Sequence, residues 1–175
     1  MKFTHYNHTL YEFYFDFLVL MSLFMNERDK SVRSKTMARV RSKNTQLEIT
    51  VRNFLHSQGF RFRIHVDSLP GKPDMVLRKY NLCIFIHGCF WHQHEGCRFA
   101  TVPKTNVEYW RQKFVRNRKR DINSKLTLLE NGWRVFELWQ CGIDNKNSSL
   151  EWLPVCIKSD LPTLSWPDYI CNDDR

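Results

Sequence analysis

The sequence predicts an α/β domain: a central mixed β-sheet flanked by helices. Two observations carry this. Two segments have helical apolar periodicity, and four short runs are rich in β-branched or aromatic residues, in the order helix, three strands, helix, strand. A third is capacity: 175 residues, 42% hydrophobic and 14% aromatic, supply one well-packed core but hardly two.

The first helix reads from NTQLEITVRNFLHSQG, residues 44–59. Asn44 or Thr45 caps it, Glu48 sits in its first turn, and Gly59 ends it. Leu47, Val51, Phe54 and Leu55 form its apolar face. FRFRIHV (60–66) alternates apolar and basic residues, as a strand with one face in the core does. LPGKPD (69–74) is a turn and MVLRKY (75–80) a short second strand. LCIFIHG (82–88) is a continuous apolar run, expected of a central buried strand. A long helix spans about residues 106–131, with Phe114, Ile122, Leu126 and Leu129 as its buried face. WRVFELW (133–139) is the last strand, and beyond Gly142 there is no strong pattern.

The formal charge of +9 and a pI near 9.4 favour an anionic partner, nucleic acid being the commonest. Six cysteines in a chain this rich in core residues point to a reduced compartment with a metal site rather than to a disulfide framework. The cytoplasm, with no membrane partner, is the expected location. The stretch YEFYFDFLVLMSLFM (11–25) is apolar, but Glu12 and Asp16 interrupt it and it is too short to span a bilayer. It reads as an upstream extension with Met25 as the natural start, a membrane-associated segment being the alternative. Residues 29–43 form a basic, Ser-rich arm suited to phosphate contact.

The chemistry concentrates in IHGCFWHQHEGC (86–97). Cys89, His94 and Cys97 lie on one loop and Cys141 follows a strand end, a Cys₃His set that would fill a tetrahedral zinc and leave no open position. Pro73-Asp74 stands at the entry to a strand beside the one ending at His87. A carboxylate there, with polar groups on the neighbouring strand, can hold a hard divalent ion against a phosphodiester. Glu48 can add a second carboxylate or serve only as a capping residue. His87 and His92, left over once His94 is assigned to metal, suit proton transfer. Asp121 either orients one of them or pairs with its Arg neighbours. Phe90, Trp91 and Trp110 are core packing or a wedge for a base stack. Lys104, Arg111, Arg116, Asn117, Arg118 and Lys119 offer phosphate contacts, against the plainer reading of a solvated helix face.

Taken together, RSKNTQLE, LPGKPD, HGCFWH, PKT, EYWRQKFVRNRKRD and GWRV, in that order over about residues 29–142, resemble the very-short-patch repair endonucleases (Vsr type), which nick DNA beside T:G mismatches. The resemblance implies a fold of the PD-(D/E)XK, restriction-endonuclease-like type. Its pattern makes Asp74 the metal-binding carboxylate, Glu48 an outer acid, and His87 and His92 active-site histidines with Asp121 near them. Cys89, His94, Cys97 and Cys141 match the structural zinc ligands. Phe90, Trp91 and Trp110 match aromatics that insert beside the mismatch, and the arm matches a DNA-gripping segment. Ile86 stands where the best-known form has Thr, and a magnesium ligand supplied by the main-chain carbonyl survives that exchange. The implied organisation is a non-family extension (1–28), the arm (29–43), an endonuclease domain (44–142) and a tail of unassigned role (143–175). The implied activity is Mg²⁺-dependent nicking by a monomer, linked to a cytosine-5 DNA methyltransferase and to mismatch-repair proteins in the nucleoid. Two alternatives stand beside it: a restriction-like nuclease cutting matched DNA, and a non-catalytic, zinc-stabilised DNA-binding module.

Overall fold

A computed structural model describes residues 43–167. The N-terminal extension and all of the basic arm except Lys43 lie outside the described residues, as does the tail beyond Pro167. Residues from Thr45 onward form a unit of their own. Its elements are α1 (Gln46–Ser57), β1 (Arg63–Ile64), β2 (Met75–Leu77), β3 (Leu82–His87), α2 (Cys89–His92), α3 (Val107–Glu130), β4 (Arg134–Trp139), α4 (Gln140–Ile143), α5 (Leu153–Lys158) and β5 (Thr163–Trp166). No helix among the described residues is long and apolar enough to cross a membrane.

One five-stranded sheet runs in the order β1-β2-β3-β4-β5. The first three strands are antiparallel neighbours, and β3, β4 and β5 are parallel. The mixed sheet with helices is therefore as the sequence predicts. Side chains on a strand alternate between faces. Met75, Leu77, Leu82, Ile84, Phe136 and Leu138 pack with Val51 and Leu55 of α1 and Leu153 and Ile157 of α5. Val76, Cys83, Phe85 and Val135 point the other way and meet Leu128 of α3.

Local chemistry accounts for the boundaries. Thr45 caps α1 through a reciprocal box: its hydroxyl accepts from the Glu48 N–H, and the Glu48 carboxylate accepts from the Thr45 N–H. Gly71, at φ +72, lets the 69–74 turn lie against α3, since a Cβ there would meet the Ser124 Cβ at 2.8 Å. The expected strand over 60–66 shrinks to two paired residues, because His65 turns left-handed (φ 50) immediately after Ile64.

Two departures from the sequence reading matter for function. Ile122 and Leu126, expected in the core, are about half exposed at 53% and 52%. The inward face of α3 is instead shared by Phe114 and Leu128 with Asn117, Asp121 and Lys125, which bond to groups on α2 and β4. The patternless stretch after Gly142 supplies α5 and β5. It is tied to β4 by Arg134, whose guanidinium donates to the carbonyls of Cys156, Ile157 and Leu161 at 2.7–2.8 Å.

Candidate active site and metal centre

The C-terminal end of β3 gathers nearly every candidate. The β2–β3 register pairs Met75 with Ile84, and extended by two residues it would set Pro73 opposite Ile86. In an antiparallel ladder alternate facing pairs exchange N–H···O=C bonds both ways. Here the Ile86 N–H goes to the Asp74 carboxylate, Oδ2, at 2.7 Å. N–H and C=O of one strand residue point to the same side, and Pro73 has no N–H to return to the Ile86 carbonyl. The Pro-Asp entry thus sets a carboxylate against the main chain of Ile86.

Burial pushes the Asp74 carboxyl up from the ordinary 3.8 to about 6; the Ile86 N–H opposes this, the Glu48 charge adds to it, and Arg52 and His92 oppose it. Glu48 is buried, pairs with Arg52 one turn on, and is both the capping residue and a neighbour of the site. Glu48, His65 and Asp74 each bring one ligand atom within 4.8 Å of the others.

A chain of titratable groups lies alongside. His92 Nδ1 and Asp121 Oδ2 are 2.6 Å apart, so α3 delivers its carboxylate to the histidine of α2. The His87 and His92 rings are 4.1 Å apart between centroids. Behind His87 stands Glu137 of β4, 3.8 Å from its Nε2, and Lys125 of α3 holds that carboxylate at 2.7 Å. Burial lowers His87, with Glu137 working against the shift. Burial alone would raise Asp121, but its hydrogen bond to His92 and the charges of both histidines and Arg120 leave it below the usual range. Burial would likewise raise Glu137, and His87 and Lys125 together bring it down. A neutral histidine beside a carboxylate-oriented one is an arrangement able to accept and pass a proton.

The second ligand group is Cys89, His94, Cys97 and Cys141, all buried, their ligand atoms within 4.8 Å of one another. His94 Nδ1 lies 3.3 Å from the Cys141 sulfur and 3.8 Å from that of Cys89. The ring is stacked on Trp139, with centroids 4.1 Å apart and planes 9° apart. Burial lowers His94, while the main-chain carbonyl of Pro167 accepts a hydrogen bond from it. Soft donors, mutual proximity and a carbonyl fixing the imidazole suit a tetrahedral structural metal. Burial pushes the Cys89 thiol up to about 11, offset in part by Cys141.

The aromatics sit on the outer side of this loop. Phe90 and Trp91 of α2 meet Trp110 in the first turn of α3, at centroid distances of 5.4 and 6.0 Å. All three are half-buried. Lys113 lies over both indoles, at 5.1 and 5.4 Å. Asn117 gives its amide N–H to the Trp91 carbonyl at 3.0 Å, lashing the loop to the helix. Lys104, Arg111, Arg116, Arg118 and Lys119 are exposed, and Arg118 lies 3.7 Å from Glu95. Arg116, Lys119 and Arg120 line an open groove of about 480 Å³ against Pro70 and Gly71.

Sequence reasoning missed His65, Glu137, Lys125 and Lys113 as site residues. A charged residue inside the run WRVFELW was the one available signal for Glu137. His65 becomes visible only through the β1–β2 register, whose next step would set it opposite Asp74.

Comparison with known proteins adds family context. The family model described as DNA mismatch endonuclease Vsr matches residues 25–98. The chain is 48% identical over 113 residues to the type II nicking enzyme V.XorIIP of Xanthomonas oryzae pv. oryzae, covering 65% of this chain and 82% of that one. It is 43% identical to the type II nicking enzyme V.NmeAIP of Neisseria meningitidis, over 66% of this chain and 82% of that one. With the DNA mismatch endonuclease Vsr of Escherichia coli the identity is 42%, over 66% and 73% of the two chains.

Proposed function

Since the chain belongs to the Vsr family of DNA mismatch endonucleases, we propose that it nicks duplex DNA at T:G mismatches left by deamination of 5-methylcytosine. It hydrolyses the phosphodiester beside the mismatched T and so starts very-short-patch repair. The observation that carries this reading is the convergence, at one strand end, of an anchored carboxylate, a histidine–aspartate pair and an aromatic cluster flanked by basic side chains. The PD-(D/E)XK assignment rests on the Pro73-Asp74 entry to β2 and on the family.

Asp74 and the Ile86 carbonyl are the oxygen ligands for Mg²⁺, the hard cation such donors suit. When bound, the ion neutralises charge on the scissile phosphate and makes a water more acidic. His92 takes the proton of the attacking water, Asp121 holds its imidazole in place, and neutral His87 packs beside it. Cys89, His94, Cys97 and Cys141 hold zinc, whose role is to keep the 89–97 loop rigid. Phe90, Trp91 and Trp110 then press into the base stack, where a mismatched step is cheaper to part than a paired one. Lys104, Arg111, Arg116, Asn117, Arg118 and Lys119, with the arm at 29–43, engage the backbone. The enzyme works as a monomer in the cytoplasm, on the nucleoid. Its functional associates are a cytosine-5 methyltransferase that creates the lesion's precursor and the mismatch-repair proteins.

The test is single-turnover cleavage in Mg²⁺ with and without Asp74→Ala. The substrates are duplexes with one T:G mismatch in varied contexts, beside matched controls. Strand-specific nicking confined to the mismatch and lost in the variant is the expected result. Equal cutting of matched DNA would give the site to a restriction-like nuclease, and binding without cleavage to a DNA-binding module.

A further inference from the structure

We infer that His65 and Glu48 join Asp74 and the Ile86 carbonyl at the catalytic cation site, adding an imidazole nitrogen to its oxygens, so that the site binds Mn²⁺ more tightly than the Mg²⁺ it also uses. The inference rests on the nuclease reading above and concerns which ion that site selects.

Three independent placements converge. The β1–β2 ladder pairs Arg63 with Val76 and Ile64 with Met75 and stops there; one step further along the same register His65 would face Asp74. His65 then leaves the strand in a left-handed conformation, φ 50, ending the ladder at the carboxylate. From across the site α1 contributes Glu48, buried and fixed by its own capping box. The three ligand atoms lie within 4.8 Å of one another, whereas ligands at about 2.1 Å from a common ion are at most about 4.2 Å apart. A small closing movement therefore suffices.

The chemistry of His65 fits a ligand. Its Nε2 faces the Arg52 guanidinium at 3.4 Å, and a guanidinium offers only donors. The ring nitrogen that meets it thus presents a lone pair, the form in which imidazole ligates. Arg52 also pairs with Glu48. Its guanidinium is the cationic group set against this cluster, and a divalent ion would supply the same charge there. Mg²⁺ prefers all-oxygen sites and keeps its waters, whereas an imidazole raises affinity along the transition series.

The experiment uses the full, zinc-loaded chain with Mn²⁺ as the probe. Free Mn²⁺ is followed by electron paramagnetic resonance, and pulsed measurements detect coordinated nitrogen. Wild type should show a directly bound histidine nitrogen, confirmed by a changed modulation in ¹⁵N-histidine protein. His65→Gln should lose that signature, bind Mn²⁺ at least about 10-fold more weakly, and lose Mn²⁺-supported nicking more than Mg²⁺-supported nicking. Retained zinc and an unchanged circular dichroism spectrum show that this variant is folded. Failure of wild type to bind Mn²⁺, Mn²⁺ bound without nitrogen, or nitrogen persisting in His65→Gln would each overturn the inference. Asp74→Ala separates the two levels. Loss of Mn²⁺ and of nicking in that variant upholds Asp74 as the catalytic carboxylate whatever His65 does; continued nicking places the catalytic site elsewhere, and wild type that never nicks removes the nuclease reading.

Discussion

Replacing Asp74 by Asn separates what this carboxylate costs the fold from what it does for the reaction. Burial holds its carboxyl near 6 instead of 3.8, so keeping it ionised in place costs about 3 kcal/mol. The folded-state value is raised. Its contribution to stability is therefore fully present below 3.8 and lost as pH climbs through about 6. Asn stays neutral throughout and still offers an oxygen to the Ile86 N–H. The variant should be more stable than wild type by about 3 kcal/mol at about pH 8 without Mg²⁺, and about 1.4 kcal/mol of that gap should arise between about pH 5 and pH 8. Urea denaturation of the zinc-loaded proteins across that range measures it. Added Mg²⁺ should narrow the gap by stabilising wild type alone, and the variant should not nick. A gap that is absent at the alkaline end, or that does not shrink toward about pH 5, would refute burial of the ionised carboxylate as its origin.

Two further outcomes test the surroundings. Asp121→Asn, which removes the charge that orients His92, should slow single-turnover nicking about 100-fold or more while leaving mismatch affinity, read by fluorescence anisotropy, unchanged. Gly142→Ala puts a Cβ 2.6 Å from both Pro167 and Trp166, and should cost about 1–3 kcal/mol in urea melts and weaken zinc retention.

What the sequence made legible was what lies close together in it. The loop 86–97 carries its ligands and aromatics within one window, and Pro73-Asp74 announces itself as a strand entry. The capping role of Glu48 was readable from the Thr45 spacing. Residues that meet only through the sheet were not. His65 is set against Asp74 by an antiparallel register, and Glu137 reaches His87 across a parallel one. Periodicity also misjudged α3, assigning its apolar residues to the core. The helix turns Asn117, Asp121 and Lys125 inward to serve the site and leaves Ile122 and Leu126 to solvent. The segment after Gly142 gave no sign of a strand because β5 has just four residues and is held by a parallel partner far away in sequence.

The placement of β5 bears on when a nicking activity comes into being as the chain is made. Cys141 is followed directly by Gly142, which fits beneath Trp166 and Pro167, and the Pro167 carbonyl steadies His94. Ser165 accepts from the Trp139 indole that stacks on the same histidine. A nascent chain that has emerged only as far as β4 already holds Asp74, His87, His92 and Asp121, yet lacks the strand that braces the loop carrying them. The frame that aligns the reactive groups is therefore completed only by residues that follow all of them in the chain.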